Sequence, residues 1–234
     1  MLPINFDKCH IMSYTNKNSQ ISYDYTLNEA VLSRVDYFSD LGVTFDPKLT
    51  FRAHINNICA NALKSLGFIL RCGSNFNDLE CLRILYFSYV RSRLEYASIV
   101  WSPFCQNHTD ALEKIQRRFL KYLAYRVDGT YPIRGTPQIS LLNRFQLTDL
   151  NTRRISYSLN FLRNLMCSQV DCSNLLSKLY IYCPRLSSRD HRCFYLPTPR
   201  IDVEKYSPVY QMTNNFNLSQ NDFDIFVNVP YGIK

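Results

Sequence analysis

The sequence predicts a mainly α protein with a few short N-terminal strands and an irregular C-terminal tail. Three observations lead there. From Leu79 to Leu123, apolar residues recur at three- and four-residue steps over two helix-length segments. From Met1 to Phe45, short stretches alternate between apolar and polar residues, in strand fashion. After Tyr180, proline, arginine and serine accumulate in CPRLSSRDHRCFYLPTPR, and no periodicity survives.

In chain order, Cys9–Tyr14 and Ile21–Tyr25 read as strands around a polar turn, Thr15 to Gln20. Asp40–Phe45 reads as a third strand, interrupted by Gly42, as at a bulge or a close backbone approach. A helix follows from Thr50, which offers a cap. Its stripe is Ile55, Ile58, Cys59, Ala62, Leu66 and Ile69, and Gly73 stands at its stop. His54 reads as a packed or capping residue. Asn77-Asp78 caps the next segment, whose apolar face is Leu82, Leu85, Tyr86, Tyr89, Val90 and Leu94. Trp101, the single tryptophan, precedes a break at Ser102-Pro103 and can pin that corner. Asn107–Arg126 forms the most basic helix, with Leu112, Ile115, Phe119 and Leu123 inward and Lys114, Arg117, Arg118 and Lys121 opposite. Tyr122 and Tyr125 interleave with the basic residues. Two glycines and two prolines make a loop of Asp128–Pro137. Helices over Ile139–Phe145 and Thr148–Met166 follow, the second capped by Thr148, with Arg153, Arg154 and Arg163 forming a basic side. Asn214–Asp224 is polar and reads as poorly ordered, and Ile225–Lys234 as one short strand or none. The resulting divisions are 1–49, 50–127, 138–180 and a mostly irregular 181–234.

Composition narrows the partners. The chain has 234 residues and a net charge of +8. That balance favours an anionic partner, nucleic acid before an acidic membrane surface. No apolar run reaches the roughly 18 residues of a bilayer span. The N-terminus lacks the basic start and apolar core of a secretory signal. Nine cysteines, an odd number without tight pairs, fit reduced intracellular thiols, hence a cytoplasmic or nuclear location. Cys172, Cys183, His191 and Cys193 lack the paired spacing of a structural zinc site. Arg91 and Arg93 exceed what one helical pairing with Glu95 explains, so phosphate contact is their sharper reading. That pairing is worth about 0.2–0.5 kcal/mol.

SYVRSRLEYASIVWSP followed by LEKIQRRFLKYL resembles the region beyond the palm in reverse transcriptases of jockey-like non-LTR retrotransposons. LLNRFQLTDLNTRRISYSLNFLRNL is similar to the helical region downstream of the thumb. PINFDKCHIMSY resembles the palm segment called motif D, with Asn5 and Lys8 at its polar positions. FSDLGVTFDPKLTF resembles the primer grip, with Leu41, Gly42 and Val43 at its tip. The resemblance implies a palm remnant, a thumb-like helical bundle and a helical C-terminal region. It implies phosphate contacts by Arg91, Arg93, Lys114, Arg117, Arg118 and Lys121 to an RNA–DNA or DNA duplex, with no membrane or small-molecule partner.

In that family a pair of Mg²⁺ ions is held by aspartates upstream of motif D, one strand and one Asp-Asp hairpin. No Asp-Asp occurs in this sequence, and Asp40, Asp46 and Asp110 stand alone. The expectation is a sequence that begins after those motifs: a fragment of an RNA-directed DNA polymerase, with no catalytic residue and no cofactor of its own. The alternative is an inert helical protein-interaction module, or a functionless relic of a mobile element.

Overall fold

The computed structural model describes residues 5, 8–15, 23–76, 78–183 and 192–219. Most are helical, with short strands confined to the N-terminal part. The chain divides into two compact units, Met1–Ile58 and Cys59–Lys234.

In the first unit, β1 (His10–Ile11) pairs in parallel with β4 (Ser33–Arg34). β2 (Thr26–Leu27) and β3 (Ala30–Val31) form a hairpin whose turn residues, Asn28 and Glu29, both have positive φ. β5 (Phe38–Asp40) and β6 (Val43–Phe45) form a second hairpin. The stretch Asp40–Phe45, read as a single strand, is therefore folded back on itself. Leu41 at φ 46° and Gly42 at φ 82° make the turn, the mirror-image geometry that suits strand twist. The strand expected at Ile21–Tyr25 has its first two residues outside the described set, and Tyr23–Tyr25 are not in a strand.

Asp46 organises the connection to the first long helix, α1 (Arg52–Cys72). Its carboxylate accepts from the backbone N–H of Lys48, Thr50 and Phe51 and from the Thr50 hydroxyl. Thr50 Oγ1 in turn accepts from Arg52 N at the helix start. His54 is buried and its Nδ1 accepts from Thr44 N at 3.3 Å.

The second unit packs helices around an aromatic–aliphatic core, with a further cluster between α7 and the C-terminal segment. From α1, Ala62, Leu66 and Ile69 are buried. Gly73 follows, at the head of a 3₁₀ turn over Gly73–Asn75. It has no left-handed backbone; its value is space, since a Cβ there would lie 2.8 Å from Tyr122 Oη and 2.9 Å from Leu82 Cδ2. α2 (Leu79–Tyr86) is capped by the Asp78 carboxylate, and the Asn77 side of that cap lies outside the described residues.

A π turn over Phe87–Arg91 then adds a residue to the helical ladder before α3 (Ser92–Glu95). The extra residue changes the phase. Leu82, Tyr86, Val90 and Leu94 bury in steps of four, while Tyr89, expected on the apolar face, is 56 % exposed. Ala97 at φ 51° breaks the segment before α4 (Ser98–Trp101). Trp101 is buried, and its indole N–H donates to the Tyr96 carbonyl at 2.8 Å.

α5 (Gln106–Asp128) is the central helix and ends on left-handed Gly129. Its buried face is wider than its four-residue stripe: Gln116, Leu120, Tyr122 and Ala124 join it. Tyr86 stacks on Phe119 at 4.0 Å and donates its hydroxyl to Gln116, whose amide donates to the Thr148 carbonyl. α6 (Gln138–Phe145) and α7 (Leu150–Met166) pack against α5. The cap of α7 is Asp149, not Thr148: its carboxylate accepts from Thr152 N.

Beyond short α8 (Ser173–Leu176) and α9 (Asp202–Lys205) comes α10 (Pro208–Leu218), capped by Ser207. The expected irregular tail is thus helical over these residues. Met212 and Phe216 of α10 bury with Phe194 against Leu159 and Leu162 of α7, which fixes the helix despite its polar NNFN run. Asn217 adds two bonds to the Phe194 backbone. Asn214–Ser219, read as poorly ordered, fall within or just after this helix. Ile225–Lys234 and His191 lie outside the described residues.

Candidate nucleic-acid interface

The basic residues of α5 separate into two groups by what holds them. Lys114, Arg117, Arg118 and Lys121 lie on the side away from the buried face, the first three exposed and Lys121 half-buried. All four line one groove of about 900 Å³ between the Cys59–Leu63 turn of α1 and α5. Its floor is apolar, with Leu63 and Ile115, and its acidic members are Asp110 and Glu113.

Arg117 is oriented by a relay. Its Nε donates to Gln138 Oε1 at 2.8 Å; the Gln138 amide donates to Glu113 Oε2 at 2.8 Å; Asn151 N donates to Glu113 Oε1 at 3.0 Å. The relay ties α5, α6 and α7 together. It leaves the two terminal nitrogens of Arg117 for an incoming anion, while the acidic neighbour in the groove is occupied. Burial pushes the Glu113 carboxyl above its ordinary pKa, opposed by the bonds from Gln138 and Asn151. Nothing in the spacing of Glu113, Gln138 and Asn151 announces this relay, because it spans three helices.

Arg126, Arg153 and Arg154 are held inside the fold. Arg126 donates to the carbonyls of Gly73 and Phe76 and to the Tyr122 hydroxyl, closing the 3₁₀ turn. Tyr122 is buried rather than interleaved with the basic face, and Tyr125 stacks on Tyr131 at 4.5 Å. The expected basic side of α7 is also not a surface: Arg153 and Arg154 are buried. Arg153 forks onto the Glu95 carboxylate and donates to the Tyr157 hydroxyl. Burial alone would lower the Arg153 pKa, but Glu95 more than offsets it and the pKa rises. Arg154 has no hydrogen-bond partner among the described residues; burial lowers its pKa, against the fields of Glu113, Asp149 and Glu95.

Arg91, predicted for phosphate, is drawn into this same cluster. Its guanidinium lies 3.6 Å over the Phe87 ring and 3.8 Å from Glu95, with the side chain 14 % exposed. Burial and Arg153 lower its pKa. Arg93 is exposed on the other side of the turn. The two arginines, two residues apart, therefore do not share a surface.

The remaining predicted residues belong to the first unit. Asn5 and Lys8 are exposed and joined by a Lys8 N–H bond to the Asn5 carbonyl. Leu41 and Gly42 are the tip of the β5–β6 hairpin, with Leu41 83 % exposed, while Val43 is buried. Among the described residues, no three His, Cys, Asp or Glu side chains stand together to hold a metal ion. Asp46 is saturated by its own loop, and Asp110 accepts from the Gln106 amide. These residues do not fit the paired Mg²⁺ site of the resembled polymerases. No helix among the described residues is long and apolar enough to cross a membrane. Compared with protein-family models, curated proteins and solved structures, the chain gives no match.

Proposed function

We propose that the chain is the C-terminal part of a jockey-like non-LTR reverse transcriptase and that its second unit grips nucleic acid through phosphates. The observation that carries the reading is the row Lys114, Arg117, Arg118 and Lys121 along one groove of α5. Four cations at three- and four-residue steps can follow a phosphate backbone without reading bases. The relay through Gln138 supports it further, since an oriented guanidinium binds phosphate with less loss of freedom. In this reading the chain binds rather than catalyses, for the resembled enzymes work through an Asp-Asp hairpin and these 234 residues contain none.

The test is binding of the chain to an RNA–DNA hybrid and to random DNA across a salt series. Affinity falling steeply with salt is expected, with a log–log slope of about −0.9 for each phosphate contacted. Reversing Arg117, Arg118 and Lys121 to Glu is expected to flatten that slope. No binding at low salt by a folded chain would leave the protein-interaction reading, for which the apolar groove floor at Leu63 and Ile115 is the favouring feature.

A further inference from the structure

The cation row of α5 ends on an aromatic pair. Lys114, Arg118, Lys121 and Tyr125 follow one another at steps of four, three and four, so the tyrosine stands in line with the cations. Tyr125 is exposed, and its ring stacks on Tyr131 with centroids 4.5 Å apart and planes 10° from parallel. Gly129 reverses the chain and so brings Tyr131 back to the helix. Its left-handed backbone, at φ 71°, ends α5, and its N–H donates to the Tyr125 carbonyl. Two contacts fix the loop 129–137 at its ends: Arg144 grips the Asp128 carboxylate at 2.6 and 2.7 Å, and Gln138 holds Arg117 at 2.8 Å. The Asp128 carboxylate, three residues beyond Tyr125, is thus matched by a cation, and Arg134 of the same loop is exposed. A pair that only closed the loop would bury its outer ring. Tyr131 is instead 62 % exposed, so the face turned from Tyr125 meets solvent.

We propose that this pair stacks the first unpaired base of a strand leaving the groove-bound duplex, which makes the second unit a reader of duplex–single-strand junctions. This role rests on the phosphate reading of the α5 groove and adds a second kind of contact to it. From Lys121 to Tyr125 the helix rises about 6 Å, at about 1.5 Å per residue. A strand advances about 3.4 Å per nucleotide, so the pair stands within about two nucleotides of the last cation. Bases inside a duplex show no free face to a ring; an unpaired base does. Every base has a π face, so the contact tolerates any sequence, in keeping with phosphate contacts that read none. An acidic peptide would satisfy the cations, but its carboxylates gain nothing from a ring face, which is itself negative.

The full chain is titrated with an RNA–DNA hybrid that is blunt, or whose DNA strand carries a short 3′ or 5′ overhang. Each overhang is also made with abasic nucleotides, which keep the phosphates and lose the bases. 2-Aminopurine at the first overhang position reports stacking by its quenching. One overhang polarity is expected to bind about fivefold more tightly than the blunt hybrid, and its abasic form to lose that gain. Tyr131→Ala, shown folded by circular dichroism, is expected to abolish both the gain and the quenching while the blunt hybrid binds as before. Tyr131→Phe is expected to keep both. Equal affinity for blunt and overhanging hybrids overturns the proposal and leaves the groove reading standing. A full gain retained by Tyr131→Ala, or by the abasic overhangs, overturns it as well. No binding of any hybrid at low salt overturns both.

Discussion

Removing the Glu95 carboxylate will destabilise the second unit more than any exposed substitution can. Glu95 accepts from Arg153 Nε and Nη2 and from the Tyr157 hydroxyl, and Arg91 stands 3.8 Å away. The Glu95 and Arg153 side chains are 10 % and 9 % exposed. Glu95→Ala therefore strands a buried guanidinium, a loss of about 3–5 kcal/mol in comparable sites. A cleft that Glu95 lines admits water, which places this case near 3 kcal/mol, about the lower end of that range. At roughly 2–4 °C per kcal/mol for a unit of this size, the melting temperature falls by about 6–12 °C. The assay is thermal denaturation by circular dichroism, with Arg153→Met and the double variant Glu95→Leu/Arg153→Met beside it. The double variant is expected to recover most of the loss, because no charge is left buried. A shift below about 2 °C for Glu95→Ala, or strictly additive losses in the double variant, would refute the reasoning.

Three further outcomes follow from the packing. His54 is held below its ordinary pKa of 6.5 by burial, so folding favours its neutral form. The stability it contributes is present above the ordinary value of 6.5 and is lost as pH falls from there through the lowered folded value. Hydrogen exchange at the Thr44 amide, corrected for intrinsic rate, is expected to speed up below that pH, and His54→Gln to abolish the change. Gly73→Ala will cost about 1–3 kcal/mol in denaturant melts by forcing Tyr122 and Leu82 apart, and Tyr122→Phe in the same chain will return part of it. Gln138→Met will weaken duplex binding about two- to tenfold by releasing Arg117, and will have no effect once Arg117 is Ala.

Helix positions were legible because burial here follows period. The Leu82 and Leu94 face, the Leu112–Leu123 stripe and Trp101 as the pin of its corner are all read directly from spacing. What escaped is set by partners distant in sequence. Arg153 and Arg154 look like a solvated basic side until Glu95, 58 positions upstream of Arg153, is placed against them. Tyr89 fails its stripe because it lies inside the π turn, which swings it outward while Val90 and Leu94 stay buried. Alternation alone reads through the β5–β6 turn, because Leu41 at a left-handed position breaks the local rule that would put Asn or Asp there; only the primer-grip resemblance put a tip at Leu41-Gly42. α10 hides because only Met212 and Phe216 anchor it, and their value depends on Phe194 and α7 being present. Of the candidate site, the four cations were legible as a face, but the relay orienting Arg117 was not.

The separation of Glu95 from Arg153 also has a consequence in time. As the chain is synthesised, Glu95 emerges 58 residues before its strongest partner. Arg91, one helical turn before it, is already there. It is the one cation of the cluster that can face Glu95 before Arg153 is made, and in the folded chain it stands 3.8 Å from the carboxylate that Arg153 grips. Arg91→Met is accordingly expected to slow refolding in stopped-flow experiments while changing the unfolding rate little, and the reverse pattern would contradict this order of events.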